Sequence, residues 1–429
     1  MSRSSLRRLL TLPVAAAIAL IGALACVAFI LLQAPPITAS VPDLGISGTV
    51  GFAIFPARAA ILAPVLLAGA ASLLAAIDIE TSPAGRVGLI VLVAVTTLAI
   101  LALDAYATAF FALLALLIAV RVRAAESFAL AAIPAIAIGL AIADPPPDPL
   151  LVLAGAIAAV AAGWRAATTL DLARLARAVA LGFTGLGFIA FGLGSDGAAR
   201  LCLAANALTA PLLAIAAAMI FEATGTRSLD WLGGLARGMP RFSLLLLAGL
   251  GFAAPLPPGP GFAAFLAVLR PAIMGNPIGA VSAVALALWF ALMGFAAIRA
   301  FGLACLGRPR SLRAAAAEDA PRATITAMIV LALSGLVLAL FESAENAWIC
   351  LVLLGLAALI RRFAIVSGPL ESAEFGGGFA KPPAWLPFGD PATQITATGF
   401  AAAFRTAPCP WTAKLHGAWA RLRATIAAR

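Results

Sequence analysis

Runs of about 20 mostly apolar residues, each long enough for a helix to cross a hydrocarbon layer of roughly 30 Å, recur along the chain between residues 13 and 362. A soluble globular fold has no use for so many stretches of that length. Composition agrees, with 63% of the 429 residues hydrophobic and 11% charged. The expected fold is an all-α polytopic membrane protein of about 12 transmembrane helices with a polar C-terminal tail. Candidate spans cover residues 13–33, 52–76, 87–103, 105–120, 127–143, 149–164, 178–194, 199–221, 242–274, 278–302, 323–341 and 346–362. The first imitates a signal peptide, with Ala23-Leu24-Ala25-Cys26 resembling a cleavage box. Its apolar stretch continues to Leu32, too long for a signal h-region, so it reads as an uncleaved span.

The ninth segment is interrupted. Its centre, AAPLPPGPGF (253–262), holds Pro255, Pro257, Pro258 and Pro260, which withhold amide donors and break the helix. Such a break at membrane depth requires protein or a wet cavity around the freed carbonyls. Counted as one discontinuous crossing, it leaves Arg3, Arg7, Arg8, Arg86, Arg121, Arg123, Arg165, Arg174, Arg177, Arg227, Arg237, Arg241, Arg308, Arg310, Arg313, Arg322, Arg361 and Arg362 on one face. Asp43, Asp104, Asp144, Asp148, Asp196, Glu342 and Glu345 then fall on the other, with Arg200 its clearest loop cation and Arg58 near a helix end. Cytoplasmic loops collect Lys and Arg, so both termini are expected in the cytoplasm and the chain in the cell's inner (cytoplasmic) membrane. The net charge of +10 is accounted for by orientation and contact with anionic lipid, and no nucleic-acid partner is needed.

Chemistry-bearing residues are sparse. The five cysteines (Cys26, Cys202, Cys305, Cys350, Cys409) are widely spaced, and the only histidine is His416. Metal centres want clustered Cys or His ligands, so no cofactor is expected to be bound by this chain. Gly185-Leu186-Gly187-Phe188-Ile189-Ala190 matches a GxGxxA pattern, but it follows no strand; glycines of this kind usually let membrane helices approach closely.

Four stretches carry a family resemblance. FEATGTRSLDWLGGLARGMP (221–240), followed by PLPPGPGF (255–262), resembles the region after the second-half channel helix in antiporter-like membrane subunits of complex I, Mrp and group 4 hydrogenases. AIRAFGLACLGRPRS (297–311) and the tail ESAEFGGGFAKPPAWLPFGDPATQITATGFAAAFR (371–405) are similar to the hydrogenase-4 component B branch, and TTLDLARLARAVALGFTGLGFIAFGLGS (168–195) is similar to the family's Asp-Leu-Lys-Arg loop and next helix. The chain looks like a shortened and degenerate form of that family. Family members move ions along Lys, Glu and His groups inside the membrane, where a charge is costly unless function requires it. Here the family's His-x-x-x-Lys falls on Asn206 and Ala210, its loop Lys on Ala173 beside Arg174, and its Trp-Glu pair on Phe111 and Ala112. The family's His-Pro-x-Ala-Pro-Ser broken helix has no counterpart between residues 120 and 168, and both lysines of the chain, Lys381 and Lys414, lie in the tail.

The candidate positions are few. Asn206 and Thr209 can hydrogen-bond between helices or support a water path. Arg299 can snorkel to the interface, and Arg270 either neutralises carbonyls left by the break or marks a helix end. Glu222, Arg227, Asp230 and Arg237 make a mixed-charge loop that is either a subunit contact or simply solvated. The division expected is 1–148 as N-terminal helices, 149–362 as an antiporter-like core, and 363–429 as a tail with a short amphipathic helix around Trp411 and Trp419. The resemblance implies a membrane-arm subunit of an oxidoreductase complex, partnered by other multi-spanning subunits and a peripheral metal-cluster module, with proton conduction reduced or absent. An independent small-solute transporter or channel is the alternative.

Overall fold

Because a lipid-exposed backbone must satisfy its polar groups internally, the apolar runs can only be helices or a closed barrel, and helices are what form. The computed structural model describes residues 3–33, 35–42, 49–79, 82–102, 105–121, 126–139, 148–274, 277–341 and 344–364. The tail expected to carry an amphipathic helix lies outside the described residues beyond Ala364. The helices are α1 (Arg3–Leu31), α2 (Pro56–Ile79), α3 (Pro83–Leu101), α4 (Ala105–Arg121), α5 (Glu126–Gly139), α6 (Pro149–Thr168), α7 (Leu172–Gly192) and α8 (Asp196–Thr224). They continue as α9 (Leu235–Gly238), α10 (Pro240–Ala253), α11 (Pro260–Met274), α12 (Pro277–Cys305), α13 (Leu312–Ala315), α14 (Arg322–Phe341) and α15 (Ala344–Ala364). The polytopic helical reading therefore holds. Among the described residues, eight helices are long and apolar enough by themselves to cross a membrane, while α4, α5, α10 and α11 are shorter apolar helices.

One element was not foreseen. Strands β1 (Ile37–Pro42) and β2 (Thr49–Ile54) pair antiparallel, with Ile37 opposite Ile54 and Pro42 opposite Thr49. The second span was expected from residue 52, but Phe52 belongs to β2 and bridges Ala102 at the end of α3. The stretch Thr49–Ile54 is rich in β-branched and aromatic residues, and a short apolar run of that kind cannot be told from a helix start by pattern alone.

The centre of the molecule is α8. Its span is 94% buried, against 28% for α1 and 39% for α12. Leu203 and Ala207 pack with a cluster built from α1 to α5, whereas Cys202, Ala205, Leu208 and Leu212 belong to a larger cluster built mainly from α6 to α14. Small residues bring the neighbours of α8 into contact. A Cβ on Gly185 of α7 would lie 2.7 Å from the Ala159 amide nitrogen and 2.8 Å from the Gly155 carbonyl of α6. The GxGxxA pattern thus lies within one helix, and its Gly185 forms a packing seam with α6. On the other side of α7, Phe183 meets fully buried Trp289 of α12 edge-on at 5.5 Å.

The proline-rich segment forms the break expected of it. Helix α10 stops at Ala253 and α11 resumes at Pro260. The gap is stitched by short turns, with the Leu256 amide donating to the Gly251 carbonyl at 3.0 Å and the Gly259 amide to the Leu256 carbonyl at 2.8 Å. Gly261 and Gly335 permit this fit, because a Cβ on the first would strike the Phe252 carbonyl and one on the second the Phe252 ring.

Helix ends are tied to distant elements by charged side chains. Arg58 donates to the carbonyls of Leu101 (2.8 Å) and Ala102 (2.7 Å) at the end of α3. Asp78 accepts from the Thr324 amide (2.9 Å) and hydroxyl (2.8 Å) at the start of α14. Asp319 accepts from the Phe242 amide at 3.1 Å and so caps α10 from a remote loop. Cations at helix C-termini and acids at N-termini complement the exposed peptide groups there. The glycine seam makes a direct prediction. Gly185→Ala should cost about 1–3 kcal/mol by overpacking, seen as a lower unfolding temperature in detergent, whereas Gly294→Ala, with open space around its Cβ, should be neutral or better.

Candidate functional site

Asn206, Thr209 and Ala210 sit in the middle of α8 and are each 0% exposed. Asn206 and Thr209, three residues apart, share a helix face. The Asn206 Nδ2 donates to the Leu130 carbonyl of α5 at 2.9 Å. That carbonyl is open for a reason written into α5. Pro134 stands four residues on and has no amide to return. Pro211, inside α8, does the same to the Ala207 carbonyl. The Asn206 Oδ1 and Thr209 Oγ1 are buried with no hydrogen-bond partner among the described residues. This polar step between α5 and α8 can donate and accept hydrogen bonds, but neither side chain titrates.

A cleft of about 240 Å³ opens between α2, α5, α7 and α8, lined by Ser72, Glu126, Ser127, Ile215, Glu222 and Arg227 among others. The Ser127 hydroxyl donates to the Ser72 hydroxyl at 3.2 Å. From Ile215 back to Thr209 is about 9 Å along α8 at 1.5 Å per residue. Over that stretch Ala210, Leu212 and Leu213 are buried and apolar. The cleft and the polar step are therefore separated by packed hydrocarbon along α8.

The mixed-charge loop folds back on its own chain. The Leu229 amide donates to the Leu170 carbonyl at 2.9 Å, and the Gly234 amide to the Leu306 carbonyl at 3.0 Å. Residues 168–172, 225–240 and 305–320 thereby form one layer, so three of the four stretches quoted for the family resemblance meet on the same side. Gly234 has φ +65°, and a Cβ there would meet the Pro309 ring nitrogen at 2.9 Å. Arg227 lies 4.9 Å over the Phe221 ring. Asp230 acts on Arg310 of the neighbouring loop, whose pKa burial pushes down and the Asp230 charge pulls up. Glu222 and Arg237 are exposed at the edges of this layer.

The remaining flagged arginines lie apart. Arg299 of α12 donates to the carbonyls of Ala166 (3.4 Å) and Thr169 at the end of α6. It closes a helix end within the protein. Arg270 is exposed on α11, about 15 Å along the axis from Pro260, and the helix runs past Pro271 to Met274. Arg174 is exposed in the first turn of α7 and shares a cleft with Arg165 and Arg177. Two features escaped the sequence reading: Glu126 with the Ser72–Ser127 pair, and the grouping of the three arginines. The second had a signal. A short connection between antiparallel helices brings the last turn of one beside the first turn of the next. Among the described residues no group of three or more His, Cys, Asp or Glu side chains is gathered as for a metal.

No protein-family model matches the chain. Over 190 residues it is 33% identical to an uncharacterized protein of Mycobacterium tuberculosis, covering 42% of this chain and 28% of that one. Over 136 residues it is 30% identical to formate hydrogenlyase subunit 3 of Escherichia coli, covering 30% of this chain and 22% of that subunit. The matched regions thus span under a third of these relatives. Among solved structures, a chain of the membrane-bound sulfane sulfur reductase, an archaeal respiratory membrane complex, aligns with a TM-score of 0.72 at 14% identity, covering 98% of this chain and 95% of that one. A chain of respiratory complex I from Thermus thermophilus gives 0.59 at 16% identity, covering 79% and 95%, and one of the Mrp complex from Dietzia sp. gives 0.61 at 15%, covering 79% and 91%. The resemblance to antiporter-like membrane subunits holds at the level of fold, and the protein is a multi-pass membrane protein. These likenesses do not single out the component B branch.

The polar step yields a contrast to measure. Asn206→Leu leaves the Leu130 carbonyl unanswered and should cost about 1 kcal/mol. Thr209→Val should stay within about 0.5 kcal/mol of the parent. Unfolding titrations in mixed micelles would check both, and a Thr209→Val loss as large as that of Asn206→Leu would show its hydroxyl to be engaged.

Proposed function

We propose that this chain is a membrane-arm subunit of the proton-translocation type in a complex I-like or hydrogenase-4-like oxidoreductase assembly, serving mainly as scaffold with reduced or absent proton conduction. One observation supports the second half of that reading: among the described residues Arg310, in a loop, is the only charged residue that is buried. Proton relays through membranes are built from titratable side chains in hydrated cavities, and the middle of α8 offers an amide, a hydroxyl and methyl groups instead. The fold shared with subunits of respiratory and Mrp complexes supports the first half.

In this reading the chain crosses the cytoplasmic membrane twelve times, with both termini and the arginine-rich face in the cytoplasm. It binds no redox centre itself. Other multi-spanning subunits flank it, and a peripheral metal-cluster module performs the electron transfer. The layer formed by residues 168–172, 225–240 and 305–320, with Glu222 and Arg237 exposed at its edge, is the surface for that contact.

Gentle extraction of C-terminally tagged protein with native lipid, followed by mass spectrometry, should recover a metal-cluster module and further membrane subunits. Recovery as a monodisperse particle of this chain alone would instead favour an independent transporter. Proton flux through the reconstituted assembly should not rise in an Asn206→His/Ala210→Lys double variant. A rise would show that a conducting path persists around α8 and needs only its carriers restored.

A further inference from the structure

Three arginines beside the junction of α6 and α7, Arg165, Arg174 and Arg177, have no part in the proposed function. A cleft of about 410 Å³ opens there, lined by Arg165, Thr168, Thr169, Arg174, Arg177 and Leu181 among others. Three guanidinium groups surround it. Of these three, only Arg177 has an ion pair with a described residue, at 3.4 Å from Glu126, and both partners are about half exposed, which leaves such a pair weak. Asp171, at the start of α7, is occupied as its N-cap, accepting from the amides of Ala173 (2.7 Å) and Arg174 (3.3 Å). Arg299 holds the Thr169 carbonyl from below and fixes that wall of the cleft. Arg165 and Arg174 are therefore placed to take an anion from outside the chain.

What lies beneath the cleft says which anion. On α6, Trp164, Ile157 and Leu153 are 42%, 62% and 50% exposed, forming one stripe that runs away from Arg165. On α7, Leu181 continues the line below Arg174 and Arg177 at 37% exposure. From Trp164 to Leu153 the helix rises about 16 Å, close to the roughly 15 Å thickness of one hydrocarbon leaflet. A tryptophan at the level of the cationic groups suits the lipid headgroup region. We propose that this cleft binds the phosphate of an anionic phospholipid, with its acyl chains lying along the exposed stripe of α6 and α7. Guanidinium forks match phosphate oxygens, and basic pockets between membrane helices concentrate such headgroups. The proposal stands whether or not the chain conducts protons.

The test uses full-length protein, delipidated in a zwitterionic detergent and followed by native mass spectrometry as dioleoylphosphatidylglycerol or dioleoylphosphatidylcholine is added. The anionic lipid should bind about tenfold more tightly, and Arg165→Gln/Arg174→Gln should remove that preference. Arg361→Gln/Arg362→Gln, which alters another exposed pair at the end of α15, should retain it. A photoactivatable phosphatidylglycerol should label α6 and α7 of the unmodified protein, a readout that needs no variant to fold. The proposal is overturned if the Arg165/Arg174 variant keeps its preference, if the label falls on other helices, or if inorganic phosphate displaces the lipid at equal concentration, which would make this a free-anion site.

Discussion

Inside a bilayer a carbonyl that loses its amide partner has no water to replace it, and most of the polar chemistry in this protein answers that constraint. The Pro134 ring opens the Leu130 carbonyl, and Asn206 fills it. The break between α10 and α11 is closed by its own turns. Arg58 and Arg299 cover the last carbonyls of α3 and α6, and Asp78 and Asp319 cover the first amides of α14 and α10. Charged and polar side chains of the bundle are here engaged in closing helix ends and helix breaks.

That allocation connects the packing to the proposed role. A bundle held by glycine seams and a fully buried Trp289 is dense around α8, and dense apolar packing favours a fixed support over a hydrated path. The loop layer on the arginine-rich side is tied across three stretches that are distant in sequence. It is the surface that the proposed role assigns to a peripheral partner.

Much of the fold was legible because lipid imposes a length rule that sequence states openly. Each expected span overlaps a helix among the described residues, the second only from Pro56, and the ninth overlaps the pair α10 and α11, because four prolines leave no other reading of residues 253–262. The β-hairpin was not legible: six residues such as Thr49–Ile54 carry too short a pattern to separate strand from helix start. At the site, Asn206 was found by its isolation in an apolar run, whereas its partner Leu130 could not be. The link depends on Pro134 opening a carbonyl that lies 76 positions from Asn206 in the chain, which is a fact of packing. Asp78 and Asp319 were likewise missed, since nothing local marks an acid that caps a helix far along the sequence.

The Asn206 contact also has a mechanical side. A side-chain amide seated on the backbone of another helix ties α8 to α5 in the buried middle of α8, much as a brace joins two posts. Rotation of α8 about its axis would have to break that bond in an environment offering no substitute, or carry α5 with it. The two helices are thus expected to respond to any push from a neighbouring subunit as one stiff lever.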